Sequence, residues 1–166
     1  MTKADLPQVM DIAAQVHPGY FESEAVFAER LALFAPGCLV AVQDGGDSTV
    51  LGYSIMHPAR LGSPPPLDSL LHVLALDADV MHLHDVAMLP RARGAGLGRA
   101  LIARMLDLMR HYRLGHATLV AVHGSAAYWQ SAGFAAAHDA THEPKAQSAT
   151  YGDAAVYMIL RPGEDG

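Results

Sequence analysis

An α/β fold with a mixed sheet is what this sequence predicts, on three observations. An apolar strand over residues 80–89 runs through a glycine-rich turn into a long amphipathic helix and then a buried strand at 117–122, the order of a right-handed parallel crossover. Two more strands, 38–43 and 49–57, are joined by Asp44-Gly45-Gly46-Asp47, the composition of an antiparallel hairpin. Apolar residues at helical spacing fill the stretch before them.

The elements follow in order. Leu6, Val9, Met10, Ala13 and Val16 mark a helix over 5–16, with Asp5 as its cap and only four residues ahead of it. His17-Pro18-Gly19-Tyr20-Phe21-Glu22 is rich in turn formers. A second helix spans Ser23 to Phe34, and Pro36-Gly37 ends it. After the hairpin, Pro64, Pro65 and Pro66 forbid regular structure, and Leu67 to Leu76 reads as a short helix. An excursion of this size is either an ordinary surface excursion or a wall over the acceptor site, and its leading straight into the central strand leans to the second. The helix from Leu97 carries Leu101, Met105, Leu108, Met109 and Tyr112 on one face and ends at Gly115. A last helix over Ser125 to Ala132 and a strand near Ala154 to Leu160 complete a single domain over 1–166.

Composition narrows the function. No apolar run reaches the length of a membrane span, and the first residues, with Asp5 and Pro7, lack the basic-then-apolar pattern of a signal peptide. Cys38 is the only cysteine, so neither an intrachain disulfide nor a cysteine zinc site can form. These features describe a soluble, cytoplasmic protein. The net charge of −6 argues against a nucleic-acid partner. Of the eleven basic residues, Arg91, Arg93, Arg99, Arg104, Arg110 and Arg113 crowd into 91–113. Arg110 and Arg113 suit the negative end of the helix, whereas Arg91, Arg93 and Arg99 are placed to meet phosphates.

The turn itself reads Arg93-Gly94-Ala95-Gly96-Leu97-Gly98-Arg99. Glycines let backbone N–H groups converge, and the helix start adds roughly half a positive charge, so the turn suits a pyrophosphate. A P-loop would need Gly-Lys-Ser or Gly-Lys-Thr, which occurs nowhere in the chain. A dinucleotide fingerprint would need Gly-x-Gly-x-x-Gly and an acidic residue about 20 positions on, where His111-Tyr112-Arg113-Leu114 stands instead. The spacing does match Arg/Gln-x-x-Gly-x-Gly/Ala. With Val86-Ala87-Met88-Leu89-Pro90 before it and Gly133-Phe134 closing a short helix after it, the chain resembles the GCN5-related N-acetyltransferases over most of its length.

That resemblance implies a mixed, mostly antiparallel sheet flanked by helices, with the parallel crossover at the cofactor site. It implies acetyl transfer from acetyl-CoA to a primary amine, a small molecule or a peptide, by direct attack in a ternary complex. It calls for no metal and allows a homodimer. The diphosphate falls to Arg93, Gly94, Ala95, Gly96, Leu97, Gly98 and Arg99, and the pantetheine arm to the backbone of Val86, Ala87 and Met88, where the central strand splays from its neighbour. Several family members carry a glutamate base where His82 falls, and a histidine can take a proton near neutral pH. Regular alternation would set His82, His84, Val86 and Met88 on one face and Asp85 on the other. A hydrogen-bonded core histidine is the plainer reading of His82, and His82-x-His84 lacks partner ligands for a metal.

The family's Tyr-x-x-x-Gly-Phe reads Trp129-Gln130-Ser131-Ala132-Gly133-Phe134 here, and tryptophan cannot serve as the acid. Tyr128 is the candidate in its place, about 100° round the helix; Tyr151, in a structural turn, and a thiolate leaving unaided are the alternatives. Glu22 is either a carboxylate for the acceptor's ammonium or a solvated helix-start residue. Two rival functions stay open: a non-catalytic acyl-CoA-binding regulatory module, and an acyltransferase for a longer acyl chain.

Overall fold

The computed structural model describes residues 1–43, 45, 48–137 and 150–162. Among these residues four α-helices and six strands follow in the order α1 (Leu6–Val16), α2 (Glu24–Leu33), β1 (Cys38–Val42), β2 (Val50–Ala59), β3 (Val80–Met88), α3 (Leu97–Tyr112), β4 (His116–Ala121), α4 (Ala126–Ser131), β5 (Ala135–Ala136) and β6 (Val156–Leu160). The strands form one sheet, ordered β1-β2-β3-β4-β6-β5. Among the described residues only β3 and β4 run parallel; the other pairings are antiparallel. Asp44, Gly46 and Asp47 of the expected hairpin turn lie outside the described residues.

Each face of the sheet buries its own core. Met56, Met81 and Leu83 pack with Leu101, Met105, Leu108 and Met109 of α3. Unbranched thioethers fill such irregular gaps well. On the other face, Leu6, Val9 and Ile12 of α1 and Phe27 and Leu31 of α2 cover Tyr53, Ile55 and Ala87. Tyr112, expected on the buried stripe of α3, is two-fifths exposed and packs edge-on against Phe34, ring centroids 5.0 Å apart.

Three expectations are corrected. Asp5 holds the N-cap position of α1 but makes no side-chain capping bond; its carboxylate accepts from the Thr2 N–H and hydroxyl in a preceding 3-10 turn over Lys3–Asp5. α3 stops before Gly115, because Arg113 itself takes the left-handed conformation (φ 57°). The region 67–76 is not helical. Asp68 and His72 have φ of 51° and 62°, which no right-handed helix tolerates. Its backbone donors go to side chains instead. Leu71 and His72 N–H donate to the Glu29 carboxylate at 2.8 and 2.7 Å, and Asp68 N–H donates to Glu22 at 3.0 Å. Arg30, fully buried, donates to the Ser69 carbonyl at 2.9 Å. The segment is strapped onto α2 and holds no helix of its own.

The feature that positions the site is an extra residue in β3. Ile55 pairs with Asp85, yet the next residue, Met56, pairs with Leu83, so His84 has no partner of its own. Such a bulge shifts alternation by one beyond it. The expected shared face of His82, His84, Val86 and Met88 is therefore broken. His82 and Asp85 both face the α1–α2 side with Tyr53 and His57, and Val86 and Met88 turn toward Leu97 and Leu101 of α3. His84 also turns to the α1–α2 side, toward Glu22.

Candidate acyl-CoA site

β3 and β4 pair only from Val80 with His116 to Leu83 with Leu119. β3 then continues to Met88 against β2 alone. The parting leaves a strand edge whose backbone groups have no ladder partner, and a cleft of about 760 Å³ opens along it. Val86 shows the direction of that edge, since its carbonyl accepts from His17 Nε2 at 3.0 Å instead of from a strand.

At the mouth lies the glycine turn. Gly94 (φ 82°) and Gly96 (φ 78°) adopt the left-handed conformation, and Gly96 is the residue on which α3 starts. The first intrahelical bond runs from Ala100 N–H to the Gly96 carbonyl, so the N–H groups of Leu97, Gly98 and Arg99 have no partner within the helix. A Cβ built at Gly94 or Gly96 would meet no atom within 4 Å; it would enter open space over the turn, room that fits a diphosphate. Arg93, Gly94, Gly96, Leu97, Gly98 and Arg99 line the cleft, as do Val86 and Met88. Ala87 and Ala95 do not. Ala87 is buried against α1 and α2, and Ala95 is exposed beside the turn.

Across the cleft stands α4. Trp129, at the register of the expected tyrosine, is buried and meets Phe134 edge-on, centroids 5.6 Å apart. Tyr128 is 52% exposed, and its hydroxyl lies so close over Gly98 that a Cβ there would sit 2.2 Å away. Both line the cleft. Tyr151 lines it too, but its hydroxyl donates to the Pro65 carbonyl at 2.9 Å, and burial pushes its pKa up. That contact holds the proline segment against the site, and Leu67 becomes part of the wall.

The α1–α2 side carries the titratable groups. His82 is fully buried, its Nδ1 3.0 Å from the Thr118 hydroxyl, and is absent from the cleft wall. Burial, then the neighbouring His57 and His84, hold it well below its ordinary pKa. It is a neutral core histidine. His57 behaves alike; burial brings it to about 3. His84 reaches the cleft and donates from Nε2 to Glu22 at 2.9 Å, both side chains almost wholly buried. Glu22 is thus an interior partner and not a solvated helix-start carboxylate. Asp85 accepts the Tyr53 hydroxyl at 2.6 Å and lies 3.2 Å from His17 Nε2. Burial opposes its charge, but His17 and Tyr53 outweigh that and lower its pKa.

His17 and His123 were not singled out from the sequence. His17 follows α1 directly and His123 follows β4 at φ 52°; their rings stack across the parting at 5.5 Å, with Tyr20 edge-on to His123 at 4.6 Å. The one available signal was their place in loops at the open ends of elements, where binding residues concentrate. Among the described residues no three His, Cys, Asp or Glu side chains are arranged to hold a metal ion, and no helix is long and apolar enough to cross a membrane.

Comparison with known proteins agrees with this geometry. No curated protein matches the chain by sequence. Among solved structures, the ribosomal-protein-S18-alanine N-acetyltransferase of Escherichia coli superposes with a TM-score of 0.62 at 20% identity, covering 100% of this chain and 93% of that one. A GNAT-like decarboxylase in complex with isobutyryl-CoA gives 0.73 at 13% identity, over 97% and 96%. A GNAT family acetyltransferase from Brucella melitensis in complex with acetyl-CoA gives 0.54 at 20% identity, over 100% and 87%. At such identities the likeness establishes the fold. The acetyltransferase (GNAT) family model matches residues 6–134, from the start of α1 through the glycine turn to the Phe134 that packs on Trp129, and the chain belongs to that family.

Proposed function

We propose that the protein transfers an acetyl group from acetyl-CoA to a primary amine, by direct attack with both substrates bound. The observation that carries this reading is the parting of β3 from β4 with the glycine turn at its mouth. The cradle of Gly94, Gly96, Leu97 and Gly98, with Arg93 and Arg99 beside it, takes the diphosphate. The freed edge at Val86 and Met88 takes the pantetheine arm as a surrogate strand. Ala87 and Ala95 contribute through the turn and the strand rather than as wall residues. The thioester then lies where the cleft meets the α1–α2 side, and the acceptor enters past Tyr20, Glu22 and Leu67. Holding the two reactants in line supplies much of the acceleration.

Tyr128 is kept as donor of the proton to the departing thiolate, a reading supported by its place on α4 in the cleft wall, with its hydroxyl at the Gly98 end. His82 is not retained as base, because its ring lies behind the strand and stays neutral by burial. The acceptor is a small molecule or a peptide amine.

The test is thiol release from acetyl-CoA over a panel of an alkylamine, phenethylamine, an amino acid and a short peptide with a free amino terminus. Acetylated amine in stoichiometry with free thiol is expected. Tight acetyl-CoA binding with no product would favour the non-catalytic module, a reading that the buried Trp129 at the donor register keeps alive. Faster turnover with longer acyl-CoAs would revise the donor.

A further inference from the structure

The geometry points to His17, oriented by Asp85, as the group that takes the proton from the acceptor's ammonium. This rests on the transferase reading above and goes beyond it by naming the base. His17 Nε2 faces two groups that only accept, the Val86 carbonyl at 3.0 Å and Asp85 Oδ1 at 3.2 Å. The hydrogen therefore sits on Nε2, and in the neutral ring the lone pair is on Nδ1. Nδ1 is buried and has no partner in the structure. The ring lines the cleft at the level of Val86, on the α1–α2 side where the thioester is assigned.

The orienting chain continues behind it. Asp85 holds Nε2–H from one oxygen and accepts the Tyr53 hydroxyl on the other, so both carboxylate oxygens are committed. The bulge at His84 makes this possible, because it turns Asp85 onto the face that α1 covers. Burial lowers the basicity of His17, but the hydrogen bond and charge of Asp85, with the Val86 carbonyl and Glu22, more than restore it, and its pKa stands above the ordinary 6.5. The other titratable groups around it are His123 stacked on its ring, Tyr20 edge-on to His123, and His84 paired with Glu22.

His84 is the competing base, since its Nε2 is likewise held by a carboxylate and its Nδ1 is likewise unpartnered. Both Nδ1 atoms are closed to solvent in the free protein, so it is the exposure of the ring as a whole that separates the two. The His17 side chain is 15% exposed and that of His84 is 1%, and His84 faces the neutral rings of His57 and His82 at 6.0 and 6.2 Å.

In the step, R–NH3+ gives one proton to His17 Nδ1 and becomes R–NH2. The nitrogen lone pair forms the C–N bond, and the C–S bond breaks with its pair on sulfur. Of the two protons that the nitrogen loses, one reaches solvent from His17 and one ends on the coenzyme A thiol.

The experiment is a pH profile of kcat/KM for wild type, His17→Gln, Asp85→Asn and His84→Gln with acetyl-CoA and the fastest amine of the panel, alongside acetyl-CoA Kd for each. In wild type the rate rises with pH through an acidic limb above 6.5, as His17 becomes neutral. His17→Gln removes that limb and lowers kcat about 100-fold with Kd unchanged. Asp85→Asn moves the limb to lower pH, since the charge that raises it is gone; this variant decides the matter if His17→Gln does not fold. A His17→Gln variant that keeps rate and limb, an unmoved limb in Asp85→Asn, or loss of the limb in His84→Gln alone would overturn the assignment while leaving transferase activity intact. A wild type that acetylates no amine would overturn the transferase reading, and the assignment with it.

Discussion

The two halves of β3 differ in everything but chain direction. From Val80 to Leu83 the strand is hydrogen-bonded on both sides and buried on both faces. From Asp85 to Met88 it is bonded only to β2, and its free edge lines the cleft. One extra residue, His84, separates them. The lower half is rigid because its donors and acceptors are paired on both edges; the upper half is fit to bind because its outer edge has no strand partner, only His17 on the Val86 carbonyl. Anchoring and recognition are thus carried by consecutive stretches of one strand, so damage to one need not reach the other.

That separation can be broken at its strongest point by Gly96→Val. A β-branched residue at φ 78° is strained by about 1–3 kcal/mol, and its side chain would stand in the cradle. Acetyl-CoA Kd should rise about 100-fold by calorimetry, a loss near 2.7 kcal/mol, with a smaller fall in Tm. An unchanged Kd would remove the turn from the binding site. In the lower half, His82→Gln should do the opposite. Disturbing the Thr118 contact within the sheet should cost about 1–3 kcal/mol in urea unfolding, with Kd for acetyl-CoA held. A matched loss of affinity would show that the halves are coupled.

Tyr128→Phe should lower kcat about tenfold with Kd unchanged, because only the hydroxyl over Gly98 is lost. Full activity would leave the thiolate to depart unaided. The smallest effect is on pH dependence. His57 is held neutral by burial, with a pKa of about 3 against 6.5 in the unfolded chain. The unfolded chain binds that proton first, so stability is full above 6.5 and is lost as pH falls from there toward 3. His57→Gln should flatten this slope in urea midpoints measured across that window; an unaltered slope would assign it to other groups.

The crossover was legible because each of its parts speaks locally. Apolar runs, Pro90, three glycines and a 3.6-residue stripe with Leu101, Met105, Leu108 and Met109 need no distant partner to be understood. The bulge was not legible, since nothing in Val-Met-His-Leu-His-Asp says that β2 will skip one residue. Misplacing Asp85 and Val86 followed from that single count. The segment 67–76 failed for a different reason. Its apolar spacing suggested a helix, but the carboxylates of Glu22 and Glu29, far away in sequence, captured its N–H groups first. Glu22 itself reads as a surface residue until His84 is seen beside it.

The bond of Glu29 to the backbone of Leu71 and His72 has a further consequence. Burial works against this carboxylate, yet the two N–H donors and Arg30 hold its pKa below the ordinary value. It grips the main chain and ignores the identity of the side chains it carries, so Leu70, Val73 and Leu76, all exposed, can be exchanged without loosening the clasp. The loop is therefore a replaceable fitting on a permanent bracket, whose letters can be rewritten while the clasp beneath stays as it is.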